Sequence, residues 1–484
     1  MKWSDNLFVP GIALALLGVG GCSEETPPPA GQGGSGGSGG SATAGSGGNA
    51  GSSTAGSGGN AGSTAGSSGT AGSAGSAGNG GGAADGGSRD AAGPLPDAGS
   101  IGPLDGTATR PQLTAEQAAA HTILKYLERA GPVTALVTDN WDPTAGVGDV
   151  GTFTPQYTVA ASGGTHTTVQ AAVDAAVAAG GANRFYIAVT AGTYREMVCV
   201  PSAAPPITLY STNPDAAATV IVNDAYSGKP KANGESANPC NANLTGTTYG
   251  TSGSATFAAY GKDFEAKNLT FSNDTDERTV TTGAQAVALM TQGDKLVFDN
   301  VRVLGNQDTL YVKTPGTGVV TRAYFKNCYV EGDVDFVFGR GTFVLDGCEI
   351  KYLTSRVAAG SGNVIAPSTD ARNGYGLLVI RSRFTAEMAP AGTAYLGRSW
   401  DEGAGDLAGY ATAVATGTYP NGQGLIRDSV LDAQVRPNDP WRAAATTDRP
   451  YSSMPGTYPA NRLYEYNNTG PGAAPPGLSA AEAR

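Results

Sequence analysis

Histidine is almost missing. The 484 residues include only His121 and His166, both upstream of the strand-rich body. A serine or cysteine nucleophile activated by histidine needs the imidazole beside it, and a zinc centre draws on several His or Cys ligands. Neither arrangement is available in the second half of the chain, so acid–base work there falls to carboxylates. Charge is also sparse: Asp, Glu, Lys and Arg make up 15% of residues, with a net charge of −11. That balance argues against nucleic acid or an anionic membrane surface as the main partner. An acidic polysaccharide held in a local groove remains compatible with it.

There are five cysteines, Cys22, Cys199, Cys240, Cys328 and Cys348. The last four are an even set, which suggests an oxidising compartment. Their spacing pairs Cys328 with Cys348 and Cys199 with Cys240; four buried free thiols are the alternative.

No long apolar run is present. The run from Leu7 to Val19 is short and interrupted by Pro10, which argues for an export leader rather than a membrane span. It ends in Val19-Gly20-Gly21-Cys22, which resembles a bacterial lipoprotein signal with Cys22 as the lipidated residue. The expectation is export and an outer-membrane or cell-surface lipoprotein, with a secreted or periplasmic protein as the alternative. Ala30 to Gly93 is nearly all Gly, Ser, Ala, Thr and Asn. Such a stretch has nothing to bury and reads as a disordered tether. The division is 1–22 leader, 23–112 linker and 113–484 folded domain.

Thr114 and Gln117 match a capping box, and a helix is predicted from there to about Ala130. A short strand follows around Tyr157–Ala160. Thr167–Ala179 reads as a second helix, with Val169, Val173 and Val177 four apart on the face that Ala172 and Ala176 complete. Placed before a strand-rich body, it is suited to cap the body's open apolar end.

From Arg184 on, short strands recur around a turn former: FEAKNLTF at Asn268, LVFDNVRV at Asn300, AYFKNCYV at Asn327 and FVLDGCEI at Gly347. Weaker copies lie at Ser382 and Asp428, giving spacings of 32, 27, 20, 35 and 46 residues. Near-regular units with loop insertions mark a solenoid. Asn and Gly tolerate the left-handed backbone of a sharp corner. The expectation is an all-β fold, a right-handed parallel β-helix; a β-sandwich is the alternative.

Two aspartates, Asp308 and Asp335, sit 27 residues apart in apolar surroundings. A spacing of one coil stacks them side by side. Carboxylates so placed can divide into an acid and a nucleophile or base. The bland alternative is that Asp308 caps a turn and Asp335 bonds backbone amides.

The motifs around them decide between these. Gln285-Ala286-Val287-Ala288-Leu289, Gly305-Asn306-Gln307-Asp308-Thr309-Leu310-Tyr311, Gly332-Asp333-Val334-Asp335-Phe336-Val337-Phe338-Gly339 and Leu396-Gly397-Arg398-Ser399-Trp400 together resemble the pectin methylesterases, or pectinesterases. Further matching motifs run in the family's order from about Tyr157 to Ala473. The resemblance implies hydrolysis of galacturonate methyl esters in pectin without metal or other cofactor, by a monomer. It implies Asp335 as nucleophile, Asp308 as acid and then base, Gln285 as oxyanion donor with Gln307 shaping that site, and Arg398 holding Asp335. Trp400, Phe336 and Tyr311 are expected to bind the substrate, Trp400 and Phe336 by stacking on sugar rings. One position departs from the family: Ser399 stands where a proline usually separates the Arg and Trp. Rival readings are an esterase or thioesterase of another substrate on the same scaffold, a polysaccharide lyase or glycosidase, and a non-catalytic carbohydrate-binding protein.

Overall fold

The structure is a computed structural model that describes residues 108–233, 235–280, 282–354 and 362–475. The leader, Cys22 and all of the linker before residue 108 lie outside the described residues.

From Tyr157 on, the chain winds through three parallel sheets of ten, eight and seven strands. One full coil lays down Leu296–Asp299, Arg302–Leu304 and Leu310–Val312; the next lays down Arg322–Lys326, Tyr329–Gly332 and Val334–Gly339. Each strand pairs in parallel with its counterpart one coil away. This is the parallel β-helix expected from the repeats, right-handed as crossovers between parallel strands are. Its interior is a column of buried apolar side chains, such as the Phe298 and Phe325 rings stacked 4.6 Å apart.

The corner between the ten- and eight-stranded sheets explains the repeated Asn. Asn268, Asn300, Asn327 and Asp428 all take positive φ, between 49° and 59°, and Gly347 has φ 65°. Stacked corner residues bond their side chains along the coil axis: Asn300 Nδ2 donates to Asn268 Oδ1 at 2.9 Å, and Asn467 Nδ2 to Asp428 Oδ1 at 2.7 Å. In the fifth copy the corner residue is Arg381, with φ 52°, and not its neighbour Ser382. Ser382 instead turns its hydroxyl inward to the carbonyl of Ile380.

The helix Val169–Ala179 buries Val169, Ala172, Val173 and Ala176 on the first coils, as its spacing predicts. Thr168 caps it, and the Glu196 carboxylate accepts the Val169 and Gln170 N–H groups at 2.8 and 2.9 Å. A carboxylate at that end satisfies orphan donors and the helix dipole together.

The first predicted helix is instead two short ones, Ala115–Ala119 and Ile123–Leu127. Arg427 Nη1 donates to the carbonyls of Ala118 and His121, and Thr122 starts a new cap. These contacts turn the chain where a continuous helix would run on. The arm then packs Ile123, Tyr126 and Leu127 on the outer face of the ten-stranded sheet, against Tyr324, Val344 and Leu378.

Candidate active site

The site lies along the seven-stranded sheet. Leu310 pairs with Val337 and Tyr311 with Phe338. Carried two residues back, the same register sets Asp308 beside Asp335 on the adjacent coil. Both have positive φ, 64° and 49°, and both are wholly buried. The two turns are knit by backbone bonds, Asp308 N–H to Val334 O and Asp333 N–H to Asn306 O, each 3.1 Å.

Asp335 stands on a bulge. Val334 pairs with Asn363 while Val337 pairs with Ile365, so three steps on one strand match two on its neighbour. A bulge re-aims the residue it carries, here by αL backbone at a non-glycine position. Arg398, 63 residues on, meets the re-aimed carboxylate in a two-pronged contact: Nε to Oδ1 at 3.0 Å and Nη2 to Oδ2 at 2.7 Å. The Arg398 side chain is 8% exposed and that of Asp335 0%. The fork geometry orients the carboxylate as well as neutralising it.

Gln285 and Gln307 are joined through their neighbours, since Ala286 N–H bonds to Gln307 O at 3.1 Å. Both are nearly buried, 5% and 6% exposed. Among the described residues neither side-chain amide is engaged in a protein hydrogen bond, which leaves both free for a ligand.

The aromatic expectations are corrected. Phe336 faces the coil interior and is wholly buried there. It presses on the preceding turn so closely that a Cβ at Gly332 would lie 2.2 Å from its own. The bulge causes this: turning Asp335 out turns Phe336 in. Tyr311 and Trp400 are on the opposite, outer face, but they are 0% and 1% exposed. Tyr311 stacks on Phe338 at 4.2 Å, and Trp400 sits edge-on to Tyr311. They form a packed floor and present no open ring face in this structure.

The cysteines divide. Cys199 and Cys240 are bonded, as expected, and pin the loop after Asn223 to the seven-stranded sheet. Cys328 and Cys348 are free thiols, contrary to expectation. They stack on adjacent coils inside the core, where the Cys348 sulfur accepts the Cys328 N–H and each thiol points to backbone carbonyls. Burial pushes the Cys328 thiol well above its usual range.

Two features have no clear sequence signal. Ser399 is buried and its hydroxyl accepts a bond from Asn461, which also touches Arg449, itself clamped on the wholly buried Asp401. Glu277, in the loop before Gln285, is 2% exposed and contacts Gln307. Tyr194 and Glu196 serve the fold alone, in backbone and cap contacts.

The pectinesterase family pattern matches residues 156–405. A pectinesterase of Ralstonia solanacearum is 49% identical over 371 residues, which is 76% of this chain and 92% of that protein. The pectin methyl esterase of the rice weevil superposes with a TM-score of 0.65 at 33% identity, covering 76% of this chain and 98% of its own. Escherichia coli YbhC gives 0.64 at 31%, covering 76% and 96%. A β-helix of this register, bearing two stacked aspartates and an arginine fork, matched over three quarters of its length, belongs to the pectinesterase family.

Proposed function

We propose that the protein hydrolyses methyl esters of galacturonate in pectin, releasing methanol and leaving carboxylates on the polymer. The observation that carries this is the grip of Arg398 on Asp335 in register with Asp308. The fork aims one carboxylate and pairs its charge, as a weak nucleophile requires.

In this reading an Asp335 oxygen attacks the C6 ester carbon. The carbonyl electrons move to oxygen, and the free amides of Gln285 and Gln307 stabilise that charge. A well-placed donor of this kind contributes ~3 kcal/mol. Collapse breaks the bond to the methoxy oxygen, which takes the Asp308 proton and leaves as methanol. The product is an anhydride between Asp335 and the sugar. Asp308, now a carboxylate, takes a proton from water as the hydroxide adds to the sugar acyl carbon. The anhydride opens, Asp335 returns as carboxylate and Asp308 is protonated again. The two aspartates act as one coupled pair.

The leader, Cys22 and the Gly/Ser/Ala-rich tether support export of the domain as a lipid-anchored monomer at the cell surface. Retention of the full chain with membranes, lost in Cys22→Ala, tests the anchor.

The reaction is tested by methanol release from highly methylated pectin. Wild type should release it and Asp335→Asn should not. Turnover of small esters or thioesters without pectin would keep the mechanism and overturn the substrate.

A further inference from the structure

The carboxylate of Glu277 lies against the backbone of Gln307, the residue immediately before Asp308. The Gln307 N–H points between both oxygens, at 3.1 Å to Oε1 and 3.2 Å to Oε2. Glu277 is 2% exposed. Burying a carboxylate is costly unless its bonds are worth the desolvation, and this one accepts from the backbone of the turn that carries Asp308.

Neighbouring hydrogen bonds brace that contact. Glu277 opens the short helical turn Glu277–Thr279, which its own carbonyl closes by accepting the Val280 N–H. The base of the loop is fixed by Asn273, whose Nδ2 donates to Ala225 O and Val287 O. Gln285 follows Glu277 by eight residues in the sequence. Gln307 is therefore held from both sides: Glu277 takes its N–H, and Ala286 N–H takes its C=O. The next residue, Asp308, has φ 64°, a conformation a non-glycine residue keeps only where its neighbours enforce it.

We propose that Glu277 is a positioning residue for the ester hydrolysis. It holds the Gln307–Asp308 turn so that the acid and the oxyanion amide face the carbon that Asp335 attacks. The inference rests on the reading given under Proposed function. Glu277 acts through the Gln307 backbone.

The test uses the full chain as wild type, Glu277→Gln and Glu277→Ala, with kcat and KM for methylated pectin and amide hydrogen exchange at Gln307. Glutamine keeps an oxygen to accept the N–H, whereas alanine removes it. Glu277→Ala should lower kcat on the order of 10- to 100-fold, the scale of a small misplacement of reacting groups, with KM within about twofold. Gln307 protection should fall in parallel. Glu277→Gln should restore kcat to within about threefold of wild type and restore protection. Unchanged kcat in folded Glu277→Ala, a change in KM alone, or equal loss in both variants would overturn the proposal. If Glu277→Ala does not fold, Glu277→Asp, which withdraws the carboxylate by one methylene, replaces it with the same expectations. Wild-type methanol release tests the function separately, and the exchange at Gln307 is read whether or not pectin is the substrate.

Discussion

Asn461 Nδ2 donates a 3.0 Å hydrogen bond to the hydroxyl of Ser399, 62 residues earlier in the chain. Ser399 lies between Arg398, which holds Asp335, and Trp400, in the floor beneath the site. It is wholly buried, and Asn461 is 1% exposed. The family's proline would fix this backbone through its ring. Here a hydrogen bond from the closing segment does so, reinforced where Ala445 N–H meets Ser399 O at 2.8 Å. Among the described residues Ser399 N–H is not engaged in a backbone bond, so a proline can replace it without losing one. Asn461→Ala should cost on the order of 1–3 kcal/mol through the orphaned hydroxyl and lower kcat several-fold. Adding Ser399→Pro should recover kcat. Steady-state kinetics on the single and double variants decide it; a proline that fails to rescue shows that the bond serves packing only.

Arg398 and Asp335 form a buried pair, so their replacements should behave differently. Asp335→Asn should keep the shape and abolish turnover while the fold holds. Arg398→Ala leaves a buried carboxylate without its fork, a change that costs about 3–5 kcal/mol, and should lower the urea midpoint as well as activity. Arg398→Lys restores charge but not the two parallel bonds and should recover stability more than kcat. Parallel melting and methanol-release measurements separate charge from geometry.

The four domain cysteines should titrate in three stages. With Cys22 replaced by serine, the native protein should show no thiol reacting with a disulfide reagent, because Cys328 and Cys348 are each 2% exposed and thiolate formation at Cys328 is suppressed by burial. Denaturation without reductant should reveal two thiols, and reduction two more. Opening Cys199–Cys240 should lower stability by about 2–4 kcal/mol. A count of zero in denatured, unreduced protein would mean that Cys328 and Cys348 are bonded.

The corners and the register of the two aspartates were legible because both follow from one-dimensional rules. Asn268, Asn300 and Asn327 mark a backbone conformation few residues accept, and a 27-residue spacing sets Asp308 beside Asp335. Arg381 carries no such mark because arginine rarely takes that corner; its guanidinium is anchored on the Asp346 carboxylate one coil away. Phe336 reads as a surface aromatic only if the strand alternates regularly, and the bulge at Asp335 breaks the alternation. The Cys328–Cys348 pairing failed for a related reason: spacing puts the two sulfurs on adjacent coils, but each is directed to a carbonyl. Glu277 was invisible because its partner is a backbone N–H, which has no letter in the sequence.

Acid should weaken the attachment of the N-terminal arm through Asp139. Arg322 grips both Asp139 oxygens at 2.8 and 2.9 Å while also holding Asp294 and the carbonyl of Leu127. Lys295 adds a contact to Asp139 at 3.0 Å. The hydrogen bonds from Arg322, more than any other contact, hold the Asp139 carboxyl well below the usual carboxylate range. A carboxyl depressed by folding adds stability at any pH above its unfolded value, about 3.9. That stability is lost as pH falls from there through the folded value. Arg322 also lies over the Trp141 ring at 5.2 Å, so Trp141 fluorescence can report on the joint, with unfolding followed by urea. Between pH 7 and pH 3 the wild-type midpoint should fall more than that of Asp139→Asn, which has no proton to take up at this position. At pH 7 the variant should already be weaker, since Arg322, 1% exposed at its side chain, loses one of its two acidic partners. Equal pH dependence in the two proteins would show that the acid response arises elsewhere and that the clamp is held by Asp294 alone.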